Sequence, residues 1–150
     1  MDQSVVVKGL GIVEEGPMKL DEMTVRRFEL AVAESAYRIE AVCVEAGADL
    51  VVVIGGGERY HVGALGLTIT LPSIKDEEKL THSTYQIPVP GHKEEALARE
   101  GSRELVRLLN RNVVLSVGIH EDDLTQEGIQ QYMDAFNALV DMIGKAYQVR

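Results

Sequence analysis

From Val25 onward the apolar residues of this chain recur at every second position: Phe28, Leu30 and Val32 share one face, and Tyr37, Ile39, Ala41 and Cys43 resume the alternation after Glu34-Ser35. That period is the one of half-buried β-strands, so the two segments predict an antiparallel pair. Leu50 to Ile54 is apolar at every position, which predicts a central strand covered on both faces. Val62 to Leu71 sets Leu67, Ile69 and Leu71 against Thr68 and Thr70 until Pro72, and Thr81 to Ile87 alternates again before Pro88 and Pro90. Proline lacks the ladder donor and ends each run. Beyond Gly91 the period lengthens. Leu97, Gly101, Leu105, Leu108 and Leu109 stand three and four residues apart, the stripe of a helix near 92–109 lying on a sheet. Gly101 costs that helix about 1 kcal/mol relative to alanine, which predicts a close backbone approach there. A strand over Val113 to Ile119 follows. The last element is a helix over 126–147, with Thr125 as its N-cap and Ile129, Met133, Phe136, Val140, Ile143 and Tyr147 as its stripe.

Strands first, then helix, strand and helix predict an α+β fold of two layers: an antiparallel-rich sheet of about five to seven strands with two helices packed on one face. Residues 24–150 form the single expected domain, while residues 1–23, with Gly9, Gly11, Gly16 and Pro17 around Val5 to Val7, read as a loosely attached arm. At 150 residues one core can bury about two thirds of the unfolded surface. Such a fold leaves one sheet face without helices, and its apolar residues would meet water. A homodimer is therefore expected.

Charge narrows the partners. Lys+Arg 15 against Asp+Glu 24 gives a net −9, which opposes attraction to nucleic acid or to an anionic membrane surface. Leu50 to Ile54, the longest unbroken apolar run, falls far short of the roughly 20 residues that span a bilayer. Cys43 is the one cysteine, so no internal disulfide is possible, and the first residues lack the basic region and long apolar run of a secretory signal. Cytoplasm is the expected compartment. Cys43 reads as a small core hydrophobe, no Gly-x-Ser-x-Gly elbow is present, and the many carboxylates look solvated. No catalytic residue is assigned.

The remaining chemistry gathers where elements join. His61 follows Gly55-Gly56-Gly57, His92 lies in Pro90-Gly91-His92, and His120 ends the strand that closes with Gly118-Ile119. Loops held by a rigid sheet are where sites form. The triglycine lacks both the Gly-Lys-Ser/Thr ending of a phosphate loop and the Gly-x-Gly-x-x-Gly spacing. It reads as a hairpin turn needing positive φ, or as a flat wall for a planar ligand beside Glu58, Arg59 and His61. Pro90 to Glu95 opens a helix whose free N–H groups could seat an anion with His92 and Lys93, although Glu94 and Glu95 also suit ordinary helix capping. His120 with Asp122 could form an imidazole–carboxylate pair, or simply belong to a solvated acidic turn. His61, His92 and His120 could also supply a three-histidine metal site, although the short spacings of recurrent zinc motifs are missing. His82, inside an alternating strand, is taken as structural or solvent-facing.

At these same joints the chain resembles the gallate decarboxylase D subunit family, small accessory proteins of bacterial and archaeal aromatic-acid decarboxylases. That family is described as prenylated-flavin chaperone-like and as distantly similar to proteasome assembly chaperones. Three ordered segments carry the resemblance: Gly55-Gly56-Gly57 with His61-Val62-Gly63-Ala64, Pro90 to Glu95 running on into Leu97-Ala98-Arg99-Glu100, and Gly118-Ile119-His120 with Asp122, Leu124 and Thr125. They span roughly residues 37 to 145. Residues 1–23 match nothing in it, and Gly128 stands where a capping glutamate would reciprocate Thr125. The resemblance implies the proteasome assembly chaperone fold and a non-catalytic protein that assists a prenylated-flavin-dependent decarboxylase by handling its cofactor or docking to its catalytic subunit. It implies prenylated flavin mononucleotide as the cofactor, held by Gly56, Gly57, Arg59, His61, Gly91, His92, Lys93, His120 and Asp122. The residues alone leave a small His/Asp metal-binding protein or enzyme as the alternative.

Overall fold

The computed structural model describes residues 20–148. The strands are β1 (Met23–Ala31), β2 (Arg38–Ala46), β3 (Asp49–Gly57), β4 (Ala64–Pro72), β5 (Leu80–Pro88) and β6 (Val113–His120), with helices α1 (Glu95–Leu109) and α2 (Gln126–Gln148). They form one six-stranded sheet in the order β1-β2-β3-β6-β4-β5. Only β3 and β6 run parallel; all other neighbours are antiparallel. This is an α+β architecture with an antiparallel-rich sheet and both helices on one face. Residues 1–19 of the expected arm lie outside the described residues, and Met23 already opens β1.

The core lies between sheet and helices. Phe28 and Leu30, Ile39, Ala41 and Cys43, Leu50, Val52 and Ile54, and Val113, Leu115 and Val117 point into it from the strands, and all are buried. Burial pushes the Cys43 thiol up to about 12, so it packs as a hydrophobe and holds its proton. The close approach expected at Gly101 is present: a Cβ there would stand 2.6 Å from Leu115 and 2.9 Å from Phe136.

Helix α1 starts at Glu95 rather than near residue 92, because Pro90 and Gly91 form a turn first. Its buried face carries Ala98, Gly101, Ser102, Leu105 and Val106, so small residues, not Leu108 and Leu109, allow the helix to lie close. A Cβ at Gly66 of β4 would come within 2.6 Å of the Ala98 carbonyl. The Thr68 hydroxyl is buried in this contact, 2.8 Å from Ser102 Oγ and 2.9 Å from Thr84 Oγ1. In α2 the stripe is also rotated. Ile129 and Met133 are exposed, while Tyr132, Ala135 and Leu139 join Phe136, Val140, Ile143 and Tyr147 inside. Thr125 caps as expected, accepting the Gly128 N–H at 3.0 Å.

The expectation that β3 is covered on both faces is overturned. Its second face belongs to the open side of the sheet, where Val53 is 46% exposed. Two rows cross that side in register: the apolar Val25, Val44, Val51, Val114, Leu67 and Tyr85, and beside them Val42, Val53, Leu65 and Ile87, with Ser116 between Val53 and Leu65. The unbroken apolar run of β3 comes from this face.

Candidate functional site

The parallel pair decides where the candidate histidines go. Strands β3 and β6 end together, with Gly57 paired to His120, and the antiparallel register brings the start of β4 and the end of β5 to the same edge, with Ala64 paired to both Val117 and Pro88. Three junctions therefore open at one end of the sheet, the kind of crevice beyond strand ends where sheet proteins place ligands.

Each junction is shaped locally. After Gly57 the chain does not turn back as a hairpin, because β6 lies between β3 and β4. Residues 58–63 instead cross over the end of β6. The His120 carbonyl accepts the Glu58 N–H at 2.7 Å, and the Val117 carbonyl accepts the Gly63 N–H at 2.9 Å. Gly118 makes the crossing possible: a Cβ there would lie 1.6 Å from the His61 carbonyl oxygen. At the second junction the Val89 carbonyl accepts the His92 N–H at 3.2 Å, with Pro90 next and Gly91 at φ +85°. This is the chemistry of a type II turn, which favours proline and then a residue of positive φ. Val89 N–H donates to the Gly63 carbonyl at 2.9 Å, tying the turn to the crossing loop.

The three imidazoles converge. The His61 and His92 rings face each other at a 32° tilt with centroids 4.5 Å apart, and the His120 ring stands edge-on to His61 at 6.5 Å. His61 Nε2 lies 2.8 Å from Glu94 Oε1. His120 Nε2 lies 2.7 Å from Asp122 Oδ1, and Arg59 reaches both, 3.1 Å from His120 Nε2 and 3.4 Å from Asp122. The shorter contact has the imidazole N–H donating to the carboxylate, with the guanidinium bracing the same oxygen. The His120 hydrogen bond chiefly holds the Asp122 carboxyl below its usual range; desolvation opposes it, and the Arg59 charge adds a smaller lowering effect. Asp122 N–H donates to Glu58 at 3.3 Å. Lys93 is exposed and makes no ion pair among the described residues.

The glycines serve the protein's own packing. A Cβ on Gly56 would meet Ile39, one on Gly57 the His120 carbonyl, and one on Gly55 the Tyr60 ring. The flat ligand wall expected at the triglycine is thus filled by the chain itself. Gly91 differs, with open space around its Cβ position.

The family described as Prenylated flavin chaperone LpdD-like domain matches residues 33–148, a span that includes all three junctions. The chain belongs to this family. Among solved structures, a chain from a chaperone complex for yeast 20S proteasome assembly is similar at 11% identity, over 84% of this chain and 97% of that one, with a TM-score of 0.47. No curated protein matches in sequence.

One residue of this LpdD-like chain escaped sequence reasoning. Glu94 looked like ordinary helix capping, yet it makes no side-chain cap hydrogen bond. Its carboxylate folds back against Gly63, where a Cβ would sit 2.3 Å from Oε2, and meets His61. A partner 33 positions away leaves no local signal.

Proposed function

We propose that this protein is a non-catalytic accessory of a prenylated-flavin-dependent aromatic-acid decarboxylase, handling the cofactor at the histidine cluster and docking to the catalytic subunit. The observation that carries the reading is the convergence of His61, His92 and His120 at one sheet end in a chain of the prenylated flavin chaperone family. The donor set fits a flavin nucleotide in kind. The exposed His92 face offers a flat ring to stack against, and Lys93 with the N–H groups opening α1 offers charge and donors to a phosphate. His61, Arg59, His120 and Asp122 brace that surface, while Gly56 and Gly57 support it through packing. Bound, the flavin supplies the electron-sink chemistry of the decarboxylase; this chain's residues only hold it.

The test is to express the decarboxylase with and without this chain and to measure flavin per catalytic subunit by absorbance. Wild type is expected to raise loading several-fold and His92→Ala to lose most of that gain without changing the fold. Equal loading with and without the chain defeats the proposal.

The open sheet face supports a second reading of quaternary structure, a homodimer joined through the two rows that cross it. Light scattering is expected to give about twice the 16.5 kDa chain mass. Val53→Glu sets like charges together at the centre of that face, a juxtaposition that costs several kcal/mol, and should return the mass to one chain. A wild-type mass of one chain at micromolar concentration rules the dimer out.

A further inference from the structure

We infer that His61, His92 and Glu94 form a binding site for a divalent first-row transition metal of the zinc type. The site goes beyond cofactor handling and does not depend on it. One ligand atom from each residue lies within 4.8 Å of the others. Around a zinc ion with bonds of about 2.0–2.2 Å, tetrahedral ligand atoms stand roughly 3.3 Å apart, so only a modest closing movement is needed. His61 Nε2 and Glu94 Oε1, at 2.8 Å, need only open by about 0.5 Å to take the ion between them. His92, exposed on its turn, supplies the closing movement.

An independent observation points to a missing ligand. The Glu94 side chain is nine-tenths buried, at 10% relative exposure, and its Oε2 is fully buried with no hydrogen-bond partner among the described residues. A buried carboxylate oxygen left unmatched costs more than a neutral group would, so native structures pair such atoms. A cation at the cluster answers that carboxylate. His61 Nδ1 lies 3.4 Å from the Arg59 carbonyl; with the ion bound, an N–H donated there frees the Nε2 lone pair for the metal in place of its hydrogen bond to Glu94, the outer contact that orients metal-bound imidazoles. His92 faces His61 and makes no side-chain hydrogen bond among the described residues, leaving its nitrogens available. His120 stands outside this group, its ring 6.5 Å from that of His61 and engaged with Asp122. Two imidazoles and one carboxylate suit borderline ions such as Zn²⁺ or Co²⁺, and three protein ligands leave a coordination position open to water or an anionic oxygen.

The full chain, stripped with a chelator and free of any purification tag rich in histidine, is titrated with Zn²⁺ by calorimetry and with Co²⁺ by visible absorbance. About one equivalent per chain is expected, with the intense visible bands of four-coordinate cobalt. His92→Ala and Glu94→Gln should each weaken Zn²⁺ at least about 10-fold. His82→Ala should bind as wild type does. Circular dichroism and thermal melting establish that each variant is folded; His92→Ala alters an exposed turn side chain and keeps the test valid if Glu94→Gln unfolds. Absence of stoichiometric metal binding by wild type overturns the site, as does equal affinity in folded His92→Ala. Neither result bears on flavin loading, which is read separately.

Discussion

Gly118→Ala should destabilise the protein by about 4 kcal/mol or more, enough to consume much of a stability that for a single domain is roughly 5–15 kcal/mol. The added methyl would lie 1.6 Å from the His61 carbonyl oxygen and 2.2 Å from its carbon. Those atoms are backbone, fixed on one side by the Gly63 N–H bond to Val117 and on the other by the Glu58 N–H bond to His120. They cannot rotate away as a side chain would, so either the crossing loop lifts or β6 is displaced. Lifting the loop draws His61 from Glu94 and separates it from His92. Chemical denaturation should therefore show a lower midpoint, and the folded fraction should lose the histidine cluster. Gly128→Ala makes the contrast, since its Cβ would meet the tip of Leu124 at 2.9 Å and alanine recovers about 0.5–1 kcal/mol of helix propensity. It should remain within about 1 kcal/mol of wild type. Equal midpoints for Gly118→Ala and wild type would show that the crossing is not rigid.

The site was legible in the sequence as far as local chemistry reaches. Histidines placed after glycines at strand ends announce loops on a sheet, and the Pro-Gly pair announces a turn, so His61, His92 and His120 stand out without coordinates. What brings them together is a pairing of distant strands. The insertion of β6 between β3 and β4 converts the triglycine from a hairpin turn into a strand end under a crossing loop, and no pattern within residues 50–72 encodes that. The same insertion explains why glycine is needed at 118, a requirement exerted by a loop 57 positions earlier in the chain.

The two layers were legible because period distinguishes strand from helix, but which face of each element is buried was less so. Large apolar residues mark both faces of β3, whereas in β4 they mark one face only, and it is not the buried one. In β4 the buried face is the one carrying Gly66 and Thr68, because α1 approaches through Ala98, Gly101 and Ser102 and leaves no room for leucines between them. Leu65, Leu67 and Ile69 are thereby left on the open side, only partly buried. A stripe of large side chains on α1 or α2 locates a helix but misplaces its buried face wherever small residues set the contact distance.

Arg111→Met is expected to cost about 3–5 kcal/mol, the usual penalty for removing one partner of a buried ion pair. Arg111 Nη1 lies 2.8 Å from Glu45 Oε2, with side-chain exposures of 9% and 4%. Thr24 donates to the other Glu45 oxygen at 3.0 Å. The reading of the carboxylates as solvated missed Glu45, although it continues the inward set Ile39, Ala41, Cys43 and an inward glutamate demands a buried partner. Which cation answers it, 66 positions on, depends on α2, whose Tyr147 ring is flanked by Arg26 at 5.1 Å and Arg111 at 5.8 Å. Arg26 also donates to the Ala146 carbonyl at 3.3 Å, a favourable seat for a cation near the end of a helix. Arg111→Met removes the guanidinium 2.8 Å from Glu45 Oε2 and leaves the Thr24 hydrogen bond in place. Adding Glu45→Met removes the other half of the pair at similar volume and should recover most of the loss, since apolar replacement of a whole buried pair is often neutral. Urea denaturation of both single variants and the double gives the coupling directly. A double variant no more stable than Arg111→Met would mean that the loss lies in packing against Tyr147 rather than in the broken ion pair.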